Sequence, residues 1–211
     1  IKNKKKKNLV YISQFTKSIS PNETIKSGQN YYLREVFFKA EKILLPVLYN
    51  FCLKQKIKLI VSGRNLSYKD SIKEKTFYQK ILSLKKDKQS SFVFKNIENE
   101  FSSYELIDKA KLVVFIDSAL GYQSLARGNK SIGCCIRSDF LKNNSLKFGW
   151  PAQFSKEGPF WINNFNKTKI EKKLGFLYNL STSKWNEVYK KHSNRLLIFD
   201  KGNQTFKKII K

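Results

Sequence analysis

The chain has no methionine, one histidine (His192) and three cysteines (Cys52, Cys134, Cys135) in 211 residues. Each scarcity removes a class of chemistry. With one histidine and no Cys-x-x-Cys, zinc sites and Ser-His-Asp or Cys-His catalysis lack their parts. An odd number of cysteines set in apolar segments reads as buried free thiols of a reducing compartment, with Cys134 and Cys135 pointing to opposite faces of one strand. No stretch reaches the roughly 18 apolar residues that cross a bilayer. The most apolar window, Ile43–Leu53, is broken by Pro46 and Asn50. No signal peptide is visible. The absence of Met even at position 1 is expected of a segment of a longer protein. No Asp-x-Asp occurs, so charge stabilisation without a metal falls to a helix dipole and basic side chains.

Arginine is scarce as well. The chain carries 42 basic residues and a formal charge of +26, yet only Arg34, Arg64, Arg127, Arg137 and Arg195 are arginine. Phosphate and nucleic-acid recognition favours arginine's planar fork. A lysine excess alongside abundant Ile, Asn and Phe reads first as compositional bias on solvated faces. Attraction to anionic membranes or polyanionic substrates is the alternative.

What is present is an alternation of strands and helices. Leu9–Ser13 is a strand, Gln14–Asn30 a polar loop, and Tyr31–Lys54 a helix by its apolar spacing, kinked or restarted at Pro46. A strand at Ile57–Ser62, a helix from about Ser71 to Leu84, and a strand at Ser91–Phe94 follow. Residues 103–137 then give a short helix, a strand (Leu112–Ile116), an Asp117-Ser118 turn, a helix (Ala119–Arg127) and a strand (Lys130–Ile136). This order predicts an α/β fold, a Rossmann-like parallel sheet of about five strands flanked by helices. Residues 1–8 form a basic lead-in, 9–137 the core, 138–166 an irregular loop rich in aromatics, Gly and Pro, and 167–211 C-terminal helices of the same domain. Those helices are expected at Lys169–Leu180, Ser181–His192 and Asn203–Ile210.

Candidate chemistry gathers at strand ends. A helix N-terminus directly after a strand offers free N–H groups and the positive dipole end to a phosphate. Asp117 or Ser118 can cap that helix. Ser118 and the amides of Ala119, Leu120 and Gly121 can cradle a phosphate. Gly63-Arg64 closes the second strand and Ser13-Gln14 the first, on the same sheet edge, where Arg64 can neutralise a departing phosphate. Tyr104 and Glu105 precede the fourth strand. Trp150, Glu157 and Trp161 of the aromatic loop are candidate sugar or loop contacts. Glu35 and Glu41 lie on the first long helix, and each reads as a solvated surface glutamate.

The run SYELIDKAKLVVFIDSALGYQSLARG with downstream FGWP and GPFW resembles the C-terminal half of bacterial surface-carbohydrate transferases. These are glycosyltransferases of O-antigen or capsule synthesis with the two-Rossmann-domain GT-B architecture. The likeness extends over LVYISQF, KLIVSGR and the tail positions Gly202, Asn203, Phe206 and Ile209. It implies a sugar-nucleotide donor held by this half through Ser118, the amides after it and Arg64. No cofactor or metal is expected beyond the donor itself. The implied partners are a glycan or lipid-linked acceptor and an N-terminal domain outside this chain. The implied place is the cytoplasm, with peripheral contact at an anionic inner membrane face. Where relatives place a ribose-gripping carboxylate one turn into the helix, this chain has Gln123, which still bonds hydroxyls. Two other readings stay open: a sugar-nucleotide epimerase-like domain, and a basic nucleic-acid-binding module, which scarce arginine disfavours.

Overall fold

The computed structural model describes residues 7–16, 23–64, 67–83, 91–193 and 195–196. Most of the basic lead-in, Asn65, the helix expected at Asn203–Ile210 and the tail positions Gly202 to Ile209 lie outside the described residues. The strands are β1 (Leu9–Ile12), β2 (Thr24–Ser27), β3 (Asn30–Leu33), β4 (Leu59–Ser62), β5 (Phe92–Lys95), β6 (Leu112–Phe115), β7 (Ser131–Cys134), β8 (Glu157–Gly158) and β9 (Trp161–Ile162). The helices are α1 (Arg34–Phe37), α2 (Lys39–Lys54), α3 (Tyr68–Ile81), α4 (Ser102–Lys109), α5 (Ala119–Ala126), α6 (Arg137–Phe140), α7 (Lys167–Asn179) and α8 (Thr182–Ser193).

Seven strands form the main sheet in the order β5-β4-β1-β6-β7-β9-β8, all parallel except β8. The chain builds outward from β1 through β4 to β5, then crosses back to β6 and continues outward on the other side. This is the Rossmann-like order, with its reversal between β1 and β6. All four residues of β1, β4, β6 and β7 are buried. Strands covered on both faces read as unbroken apolar runs rather than alternation. Right-handed crossovers, the rule for parallel strands, would place α2 and α3 on one face and α4 and α5 on the other. Accordingly α2 packs on α3 and α7, and α4 packs on α5.

Three expectations are corrected. The segment read as a loop running into a helix is a hairpin, β2–β3, turning at Gly28 (φ +61°), and the long helix begins at Lys39. Its four-residue strands bury little beyond Ile25, too little to leave a period in the sequence. Helix α2 runs through Pro46 without interruption. The carbonyl left unpaired by the missing proline N–H belongs to exposed Lys42, where water can serve it. The aromatic segment holds α6, a 3-10 turn (Asn144–Leu146) and the short strands β9 and, at the sheet edge, β8, which widen the sheet beyond five strands. Phe148 organises it, its ring 5.1 Å from Trp161 in a parallel stack and edge-on to Phe154 and Phe160. Those rings are a packed wall, and Trp161 is 2% exposed.

Candidate functional site

In open α/β sheets the ligand crevice lies outside the carboxyl ends of the strands, where the order reverses. Here that point falls between β1 and β6, and four turns meet around it.

The turn after β6 supplies the helix end. Ser118 is the N-cap of α5 in an extended conformation (φ −80°, ψ 134°), and its side chain makes no capping bond. Gly121 N–H donates to Ser118 O at 2.9 Å. The amides of Ala119 and Leu120 have no intrahelical acceptor by position. Gly121 is dictated by packing: a Cβ there would stand 2.1 Å from Cγ of Phe115. The helix therefore lies directly on the last residue of β6, which carries its N-terminus to the end of that strand.

Asp117 does not cap the helix. Its two oxygens accept from Arg137 Nη1 at 2.6 and 2.7 Å. Arg137 Nη2 donates to Glu41 Oε1, and Nε donates to the carbonyl of Phe37 at 3.1 Å. The guanidinium stands 4.1 Å from the Phe37 ring centroid. Arg137 is 1% exposed and Glu41 fully buried. The reading of Glu41 as a surface glutamate is thus overturned: Glu41, Leu44, Leu45 and Leu48 share one buried stripe of α2. Glu35 is exposed and paired with Lys42 at 2.6 Å.

The turns after β1 and β4 are tied together by α3. Ser13 is buried, and its hydroxyl bonds Glu74 and, at 2.7 Å, the Tyr78 hydroxyl. Glu74 also accepts from the Arg64 backbone N–H at 3.1 Å on each oxygen. The Ser13 side chain thus faces the interior and shapes the turn. Gln14 N–H donates to the Tyr78 hydroxyl at 3.3 Å. A Cβ on Gly63 would meet Lys95 O at 2.9 Å, so only glycine closes β4 against β5. With its amide clamped by Glu74, Arg64 sends an exposed side chain out from this edge.

Gln123, one turn into α5, accepts from the Tyr104 hydroxyl at 3.0 Å. That fixes the amide with its NH₂ as the remaining donor group. Arg127 lies over the Tyr104 ring. The Gly149 amide donates to Tyr122 Oη at 2.8 Å, holding the exposed Trp150 beside the first turn of α5. Trp161 and Glu157 are elsewhere. Trp161 is inside the aromatic wall, with Nε1 donating to Ser155 O at 3.0 Å. Glu157 sits on the outermost strand, paired with Lys169 at 2.8 Å.

A cavity of about 620 Å³ opens at the opposite sheet edge, lined by Lys7, Lys56, Lys111, Lys130, Tyr178 and Trp185. Helices α2, α4 and α5 end there, so partial negative charge converges on it. Lysines at helix C-termini answer that dipole, and a phosphate would meet the wrong end of three helices. The switch-point edge presents the N-terminus of α5 instead.

Over residues 1–211 the chain matches the model of the Lept_O_ant_chp1 family, described as "putative O-antigen biosynthesis protein". The chain belongs to this family. A search of curated proteins gives no significant match. Membership of an O-antigen biosynthesis family gives the chain a role in surface-polysaccharide synthesis. Among the described residues no helix is long and apolar enough to cross a membrane.

Sequence reasoning had singled out the turns but not what holds them. Glu74, Tyr78 and Arg137 have no part in that reading, and Glu41 enters it only as a surface glutamate. A signal was there, since Ser71, Glu74 and Tyr78 recur at helical spacing on the buried side of α3.

Proposed function

We propose that this chain is the donor-binding domain of a glycosyltransferase that builds bacterial surface polysaccharide. What supports the reading best is the uncapped N-terminus of α5 at the switch point of an O-antigen biosynthesis protein.

In this reading the donor phosphates sit before α5, on Ser118 Oγ and the amides of Ala119 and Leu120. Arg64, reaching from the next turn, meets the negative charge that builds on the leaving nucleotide. Each such donor group is worth a few kcal/mol, roughly 3 to 4 where one has been removed elsewhere. Asp117 is engaged by Arg137, a cation it shares with Glu41, so its charge is only partly countered before a phosphate arrives. Gln123 offers its NH₂ to ribose hydroxyls, and Trp150 an open face to a sugar or base. The acceptor, a glycan or lipid-linked sugar, approaches from outside the strand ends. The attacking hydroxyl is the acceptor's own, and the base that takes its proton belongs to a further domain. Transfer then needs no metal, the leaving group being held by dipole and cation. The basic surface favours peripheral contact with anionic lipid at the cytoplasmic face.

Calorimetric titration with CMP, UDP and GDP tests this. One nucleotide should bind selectively, and Ser118→Ala and Arg64→Ala should each weaken it at least tenfold. Equal, salt-sensitive binding of all three, unmoved by either substitution, would leave only non-specific charge.

A further inference from the structure

Behind the α5 N-terminus, one guanidinium serves two carboxylates. Arg137 bridges Asp117, whose side chain is 11% exposed at the crevice, to Glu41, whose side chain is 0% exposed. With both carboxylates ionised this buried cluster carries one uncompensated negative charge. Glu41 Oε2 and the hydroxyl of Tyr11 are also buried with no hydrogen-bond partner among the described residues. An ionised Oε2 left unpaired costs the full desolvation of a charged acceptor. A proton there removes the excess charge and turns the unpaired acceptor into a donor.

We propose that Glu41 is the proton reservoir of the crevice, taking up a proton when an anionic ligand settles before α5. The coupling runs through Asp117 and Arg137. A phosphate beside Asp117 adds negative charge to a cluster already in excess, and Glu41 is the member able to neutralise. The groups acting on Glu41 are Arg137 from α6, Asp117 from the β6–α5 turn and its own backbone amide, while Glu41 in turn acts on the buried hydroxyls of Tyr11 from β1 and Tyr78 from α3. Of these, Tyr11 and Tyr78 hold their protons more tightly still, since burial raises both well above the ordinary tyrosine range. Burial pushes the Glu41 carboxyl up, against the pull of Arg137 and with the push of Asp117, to about 7. That shift carries the titration of Glu41 up toward neutrality, where it has room for a further fraction of a proton.

This inference rests on the donor-site reading, and the test separates the two. Carbon-13 labelling of glutamate carboxyls follows Glu41 by NMR between pH 5 and 8.5, with Glu41→Gln assigning the resonance. In the free protein the midpoint should lie near neutrality and fall in Asp117→Asn. Saturation with UDP-N-acetylglucosamine, GDP-mannose or CMP-N-acetylneuraminic acid, whose phosphates do not titrate in this range, should raise it. The bound sugar nucleotide should correspondingly bind about 3- to 10-fold tighter at pH 6 than at pH 8. Glu41→Gln should bind with no such slope. A Glu41 resonance that does not titrate, or a midpoint unmoved by a nucleotide that binds, would overturn the reservoir alone. Failure of all three to bind would overturn the donor site and the coupling with it.

Discussion

Arg137 holds Asp117 through a single nitrogen, Nη1, at 2.6 and 2.7 Å to its two oxygens, leaving Nη2 for Glu41. That division of one guanidinium welds the first turn of α2, the turn after β6 and the start of α6 into one unit beneath the crevice. Removing it strands two carboxylates. Arg137→Met should cost about 3–5 kcal/mol of unfolding free energy, the usual penalty for breaking a buried pair. Urea denaturation would read it. A loss under about 1 kcal/mol would mean that the cluster is solvated rather than sealed.

The same cluster sets a pH dependence whose sign is fixed. Glu41 is raised from 4.5 to about 7 in the folded protein, so the folded state binds more protons than the unfolded one across that window. Its contribution to stability is complete below about pH 4.5 and is lost as pH rises through 7. Glu41→Gln does not titrate. The stability of the variant relative to the native chain should therefore improve by about 2–3 kcal/mol between pH 5 and pH 8. A pH-independent difference, measured by paired urea melts, contradicts this.

Gly121 and Phe115 make a steric prediction. Gly121→Ala drives a methyl into the ring and should cost about 1–3 kcal/mol, the usual range for overpacking. In a Phe115→Leu background the added cost should shrink by at least about 1 kcal/mol, the coupling expected of residues in contact. Additivity in this double-mutant cycle would mean that α5 does not lie on the end of β6 as described.

Tyr104→Phe removes the bond that fixes the Gln123 amide. With Tyr104 part-buried, stability should fall by no more than about 1 kcal/mol. Nucleotide affinity should fall about 3- to 10-fold, because Gln123 loses its preset orientation. Unchanged affinity for a nucleotide that binds would remove Gln123 from the site.

The sheet was legible because its strands are continuous apolar runs: LVYI, LIVS and LVVF are short, buried on both faces and bounded by polar or turn residues. The α5 turn was legible for the same reason, lying between two such runs. Short elements were not. The two-residue strands β8 and β9 have no period to detect, and β2–β3 depend on a turn at Gly28 within a polar stretch. The buried acids were hidden differently. Composition places glutamate outside, and only the spacing of Glu41 with Leu44, Leu45 and Leu48 indicates otherwise. Its partner, Arg137, is 96 residues away in sequence, so no local pattern joins them. The aromatic rings stand out in the sequence, but nothing in FGWP or GPFW separates the exposed Trp150 from the buried Trp161.

In the proposed function the donor binds where α5 begins, not in the lysine-lined cavity at the other end of the strands. Amide nitrogen–proton NMR of the labelled chain, titrated with the tightest-binding of CMP, UDP and GDP, tests it most directly. Shifts concentrated at Arg64, Ser118–Gln123 and Gly149–Trp150, with Lys56, Lys111 and Lys130 silent, are the predicted result. Shifts centred on those three lysines while the α5 amides stay still would contradict the account.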